Sequence, residues 1–218
     1  MNSKKELARG VAVKAMRLYM SKIKTVDYME RTLWRAVREL YAGEIDEFEM
    51  IDLMTSVIEE QYNRAWRQGA KDVGVDPKEF EPEDYDEIDS RVQAEFEYIP
   101  DFVQDIVDAR EEQKPVDPFR SRVSMWAGRY NQVVDAAKIW FGDREKLEWI
   151  YGDTDHCRTC LSLNGIVAWA REWEESGIAP QSKDLECQGY KCQCRLIPTK
   201  KRRTANALER IHGAISFF

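Results

Sequence analysis

Cys157-Arg158-Thr159-Cys160 and Cys187-Gln188-Gly189-Tyr190-Lys191-Cys192-Gln193-Cys194 hold all five cysteines of this 218-residue chain, and the 156 residues before them hold none. Two thiols separated by two residues can face one ion from a tight turn, and a second group further along the chain can complete a tetrahedron. The spacing therefore predicts a zinc-stapled module near the C-terminus. A structural Zn²⁺ needs four deprotonated nitrogen or sulfur ligands at about 2.0–2.3 Å. Cys157 and Cys160 meet that need directly. Cys192 and Cys194 have one residue between them, which makes it hard to bring both sulfurs onto one ion, so the expected set is Cys157, Cys160, Cys187 and one of Cys192 and Cys194, with Cys192 preferred. His156 is a reserve ligand. An odd cysteine count argues against a closed disulfide framework.

Other uses of the cysteines fare worse. Isolated core thiols have no reason to cluster. A thioredoxin-like role for Cys157-Arg158-Thr159-Cys160 wants a βαβ frame ahead of it, and the preceding sequence offers none. A zinc hydrolase or deaminase needs an open coordination position beside a general base, and the His-x-Glu and Pro-Cys-x-x-Cys deaminase signature is absent. With only His156 and His212 in the chain, histidine-rich catalytic metal sites are excluded. No nucleophile, base and oxyanion donors stand at a recognisable spacing, so no enzymatic activity is expected.

Outward from the cysteines, the first 150 residues read as helices with proline and glycine punctuation. Leu33, Val37, Leu40 and Tyr41 share a helical face after Thr25, a suitable N-cap, and Gly43 ends the pattern. Ile51, Met54, Ile58, Tyr62, Ala65 and Trp66 repeat at three- and four-residue steps from Asp46 to Gly69, the second helix ending near Gly69. Val73 to Asp89, with Pro77, Pro82 and eight acids, predicts a solvated surface loop leading into a short helix. Phe102, Ile106 and Ala109 mark another short helix between Pro100 and Lys114. Pro118 opens a third long helix carrying Val123, Trp126, Ala127, Tyr130, Val134, Ala137 and Phe141, which Gly142 stops. Leu147–Tyr151 and Gly165–Trp169 alternate as short strands, Ala170–Ser176 predicts a helical turn closed by Gly177, and Leu196-Ile197-Pro198 finishes the module. Leu208, Ile211 and Ile215 return to helical spacing.

The expected fold class is mainly α. A helical N-terminal domain covers 1–146, a small α+β cysteine-rich zinc-binding module covers 147–198, and a basic tail with a short helix covers 199–218. Hydrophobic residues make up 43% of the chain, enough for a substantial core, and the net charge of −7 argues against a protein that binds nucleic acid over its whole surface. No stretch approaches about 18 uninterrupted apolar residues and no apolar segment follows Met1-Asn2-Ser3-Lys4-Lys5-Glu6, so no membrane association is expected, and the thiols are expected to stay reduced in cytoplasm.

The string Tyr151-Gly152-Asp153-Thr154-Asp155-His156-Cys157-Arg158-Thr159-Cys160-Leu161-Ser162-Leu163-Asn164-Gly165-Ile166-Val167 is followed by Trp173, Gly177-Ile178-Ala179-Pro180 and Cys187 to Pro198. Together they resemble the C-terminal module of tailed-phage head-morphogenesis proteins, the minor head proteins related to the Mu F protein. The shared pattern is C-x-x-C-x-x-L-x-G at the start and C-x-C-x-L-x-P at the finish, on a helical N-terminal region. The close likeness spans residues 147–198, and Leu40 to Ile45 and Ala65 to Gly69 agree more loosely. One departure stands out: many members write the second knuckle as His-Pro-x-Cys-Arg-Cys, where this chain has Cys187-Gln188-Gly189-Tyr190-Lys191-Cys192.

The resemblance implies a structural virion protein acting in capsid assembly. It would contact the portal or the major capsid protein on the inner wall, be present in several copies per head, touch packaged DNA, and reside in host cytoplasm during assembly. Residues 1–24 carry seven basic side chains against one acid, Glu6. Lys4, Lys5, Arg9, Lys14 and Arg17 of that arm, with Lys200, Lys201, Arg202 and Arg203 beside the cysteine module, are the candidate partner or DNA contacts. The competing reading is a zinc-ribbon nucleic-acid-binding regulator, favoured by the same knuckle and basic run and opposed by the acidic balance of the chain.

Overall fold

Asp46 starts the longest helix with a reciprocal cap. Its carboxylate accepts the Glu49 N–H at 2.8 Å, and the Glu49 carboxylate accepts the Asp46 N–H at 2.9 Å. The computed structural model describes residues 26–190 and 192–215. Helix α1 is Val26–Ala42, α2 is Glu47–Asp72, α3 is Pro82–Phe96, α4 is Ile99–Glu111 and α5 is Phe119–Phe141. Met29, Leu33, Ala36, Val37 and Leu40 form the buried stripe of α1, while Tyr41 is half-buried and donates its hydroxyl to the Lys114 carbonyl at 2.5 Å. Gly43 ends this helix with a φ of 74°. Thr25, the expected cap, lies outside the described residues.

On α2 the buried face is Met50, Met54, Ile58, Tyr62, Ala65 and Trp66, with Ile51 at its edge. Gly69 does not end this helix, which runs on to Asp72. It lies instead where α2 crosses α5, and a Cβ there would sit 2.3 Å from the Val134 carbonyl oxygen and 2.5 Å from the Ala137 Cβ. Only a residue without a side chain lets the two helices approach so closely. The acidic stretch differs from expectation as well. After a single 3₁₀ turn at Pro77–Glu79, Pro82 opens α3, and Asp84 accepts the Glu81 N–H at 2.8 Å. Most of the acids thus ride a helix that buries only Ile88 and Val92, so its other faces can carry charge in water.

Three short strands follow: β1 (Lys146–Ile150), β2 (Val167–Trp169) and β3 (Arg195–Pro198), in the order β2-β1-β3 with both pairings antiparallel. Between them run the short helices α6 (Arg158–Leu163) and α7 (Ala170–Ser176), and α8 (Ala207–Ile215) closes the described chain. Leu147 and Trp149 alternate inward from the central strand. The Trp149 and Trp173 rings stand 5.7 Å apart, and the Trp173 indole N–H donates to the Leu147 carbonyl at 3.2 Å. No helix among the described residues is long and apolar enough to cross a membrane.

The protein is mainly α with this small antiparallel sheet, and its buried apolar side chains form two clusters. The first comes from α1 to α5; the second begins at Leu147 and includes Cys160, Trp173, Cys194 and Leu196. The stretch 199–218, expected as a separate tail, contributes through its described part to that second core. Ala207, Ile211 and Ala214 of α8 are buried in it, and Thr204 exchanges two hydrogen bonds of 2.9 Å with Val167, covering the free edge of β2.

Helix α5 touches both cores. On its second half Asp135 is fully buried and Lys138 is 3% exposed. The Lys138 ammonium donates to Asp135 Oδ1 at 2.9 Å and to the Leu196 carbonyl of β3 at 2.7 Å, while the Arg195 guanidinium donates to Asp135 Oδ2 at 3.2 Å and to Asn131 Oδ1 at 2.7 Å. Asp72 lies 3.5 Å from Lys138 at the end of α2. Burial pushes the Asp135 carboxyl above its ordinary range, and the two cations oppose that shift. Removing one partner of such a group leaves the other buried and uncompensated. Lys138→Met is therefore expected to cost about 3–5 kcal/mol in urea unfolding; a loss under about 1 kcal/mol would mean that the junction carries little of the fold.

Candidate metal centre

Cys157 occupies the N-cap of α6, and its sulfur accepts the Cys160 N–H at 3.4 Å. The short helix, which the sequence reading missed, is what turns Cys160 back toward Cys157 and buries it. The Asn164 side chain accepts the Tyr151 N–H at 3.1 Å, and the Gly165 N–H donates to the Trp149 carbonyl at 2.8 Å, so the residues after the second cysteine lock the knuckle onto β1. From the other side, Glu186 accepts the Arg158 N–H at 2.6 Å and gives its own N–H to the Thr159 hydroxyl at 3.3 Å. This brings Cys187 to the first knuckle across 28 residues of chain. The junction of β3 with α5 then holds Cys194, whose neighbour is Arg195.

All five cysteines meet. Cys157, Cys160 and Cys187 have their sulfurs within 4.8 Å of one another, and so do Cys160, Cys192 and Cys194. Cys160 belongs to both groups, with its sulfur 4.0 Å from that of Cys192. Cys160 and Cys194 are buried; the other three are half-buried. No disulfide joins them. His156 is not among the grouped donors; its ring packs on Tyr151 at 4.3 Å between centroids.

The thiols share protons unequally. Burial opposes ionisation of Cys157, but N–H groups and thiols of Cys160 and Cys187 hold it below the ordinary thiol range. Hydrogen bonds from the Cys160 and Cys194 thiols bring Cys192 down to about 2, and the same contact pushes Cys160 up. Burial takes Cys187 up to about 11. Such a set contains thiolates ready to bind a soft cation, whose arrival displaces the remaining protons.

The loop from Gln181 to Cys192 is bent tightly. Gln181 and Gln188 hold positive φ values of 65° and 49°, and Gly189 has a φ of 76° with its Cα so near Gln181 that a Cβ would lie 2.3 Å from the Gln181 carbonyl oxygen. A cleft of about 770 Å³ opens between this loop, the end of α3 with the Glu97–Tyr98 link, and α5, with Tyr98, Met125, Arg129, Gln188 and Cys192 among its lining residues.

The basic candidates divide. Lys4, Lys5, Arg9, Lys14 and Arg17 lie outside the described residues. Lys201 donates to Glu148 at 2.6 Å, and Arg203 grips the Glu172 carboxylate with two nitrogens, one at 2.8 Å. The Arg203 hydrogen bond holds the Glu172 carboxyl below its usual range. Lys200 and Arg202 are exposed. Half of that basic run is thus neutralised by acids of β1 and α7.

Comparison with protein-family models, with curated proteins and with solved structures returned no match. Gly189→Ala is expected to cost about 1–3 kcal/mol through the unfavourable φ and the clash with Gln181, and to weaken uptake of a thiophilic metal ion in competition with a chromophoric chelator. Unchanged affinity would show that the loop does not set the cysteine geometry.

Proposed function

We propose that this chain is a structural protein of a tailed-phage head, in which a helical body makes protein contacts and a zinc-held cysteine module stiffens the C-terminal part. The observation that carries the reading is the way the resembling residues work together. Cys157, Cys160, Leu163 and Gly165 build one half of the module, and Cys192, Cys194, Leu196 and Pro198 build the other, on one sheet around two thiol triads that share Cys160. Zinc suits that donor set, because thiolate-only sites are typical of structural zinc. The second core is small, and a bound ion worth on the order of 10 kcal/mol would supply folding energy that its apolar residues lack.

The proposed partners are the portal and the major capsid protein, with several copies of the chain per head and packaged DNA as a further contact. No catalytic step is part of the reading. The zinc-ribbon regulator has less support: Lys201 and Arg203 spend their charge on Glu148 and Glu172.

Chelation of the purified protein is expected to abolish the near-ultraviolet signal of the buried Trp149–Trp173 pair while most helical circular dichroism survives; an unchanged signal would remove zinc from the proposal. Co-expression with the portal and major capsid proteins of the phage it would belong to should place it in sedimenting heads. Its absence from every assembled fraction, with those proteins assembling normally, would overturn the head reading. DNA binding by the full chain should fall steeply with added salt, and salt-insensitive or absent binding would remove DNA from the partners.

A further inference from the structure

Four thiolates on one tetrahedral ion lie about 3.8 Å apart in every pairing, given Zn–S bonds of about 2.3 Å. Among the described residues the cysteines form two triads with Cys160 common to both, and no foursome of sulfurs lies mutually within 4.8 Å. We propose that the cluster holds two thiophilic ions bridged by the Cys160 sulfur, one bound by Cys157, Cys160 and Cys187 and the other by Cys160, Cys192 and Cys194. The inference rests on the metal reading above and adds to it a count, a bridge and a role for the fifth cysteine.

The hydrogen bonds around the sulfurs fit this division. Cys157, a terminal thiolate in this division, accepts the Cys160 N–H at 3.4 Å. Backbone donors of this kind suit a terminal thiolate, which keeps lone pairs to spare. The contacts that reach Cys160 come from the other thiols, the neighbours it would share ions with. A bridging sulfur commits two of its lone pairs to metals and keeps at most one for a backbone donor, fewer than a terminal thiolate has to spare.

Charge burial points the same way. Five thiolates and two divalent ions leave a formal charge of −1, whereas one ion on four thiolates leaves −2 around a core in which Cys160 and Cys194 are buried. Cys192 and Cys194, which their spacing suggested would not share an ion, have sulfurs within 4.8 Å of each other and of Cys160, so the fold overcomes that obstacle. No histidine nitrogen or carboxylate oxygen of the described residues joins either triad. Water completes each ion, and Cys192 borders the cleft from which that water can enter.

Native mass spectrometry of the full chain, reduced and titrated with Zn²⁺, tests the count. Two ions per chain are expected, with Cys187→Ser and Cys194→Ser each retaining one. One ion in the wild type, kept by Cys194→Ser and lost by Cys187→Ser, would overturn the bridge and leave the zinc module standing; no bound ion would overturn both. Cadmium NMR of the substituted wild-type chain supplies a second measurement that needs no variant. It should give two resonances coupled through the shared sulfur, and one resonance, or two without coupling, would overturn the proposal.

Discussion

A single buried carboxylate holds the two halves of this protein in register. Asp135 has no access to solvent, so it must find its charge partners within the fold, and it finds them in Lys138 on its own helix and Arg195 on β3. Lys138 also bonds the Leu196 carbonyl, which makes the position of β3 along α5 a matter of hydrogen-bond geometry rather than of apolar contact alone. Buried ion pairs of this kind contribute little net stability over well-packed apolar residues, and their use here is to specify one docking of the sheet. Because Cys194 immediately precedes Arg195, that docking also places half of the cysteine cluster.

The cluster answers a different constraint. Beyond Leu147 the chain has few large apolar residues to bury, and its sheet has only three short strands. The Trp149–Trp173 pair and α8 supply part of the missing core. The thiols sit where the remaining loops converge, and the backbone there accepts conformations that ordinary packing would not repay: two glutamines at positive φ and a glycine pressed against Gln181. Strain of this sort persists when something over-determines the loop, and several sulfurs drawn to metal ions would do so.

The residues on which the proposed likeness to phage head proteins rests are of several kinds. The pattern residues are not all ligands. Leu163 and Leu196 are core, Gly165 turns the chain with a φ of 79°, Asn164 caps Tyr151, and Pro198 ends the strand pairing opposite Leu147. A motif of this composition describes a small folded unit with its thiols held in place.

Much of this architecture is legible in the sequence. Periodic apolar residues on the long helices read correctly because burial of one face dominates their stability, and the strands around Leu147 and Val167 announce themselves by alternation. The clustering of the cysteines is likewise local information. What could not be read are the features whose reasons lie across the chain. Gly69 reads as lying near a helix end, but its close crossing with α5 is hidden, and the helix expected after the acidic loop begins inside it at Pro82 because nothing local fixes where a charged helix with two buried residues starts. Asp135 and Lys138 look like solvent-facing residues, although their spacing beside Val134 and Ala137 puts them in the buried stripe. The sequence by itself determined the helical class, the cysteine-rich module and the chemistry of its donors, because those follow from periodicity and composition. Only the tertiary structure decided that Cys160 stands between two triads, that α8 belongs to the second core, and that Lys201 and Arg203 are spent on acids, because each depends on distances between segments that sequence order does not contain.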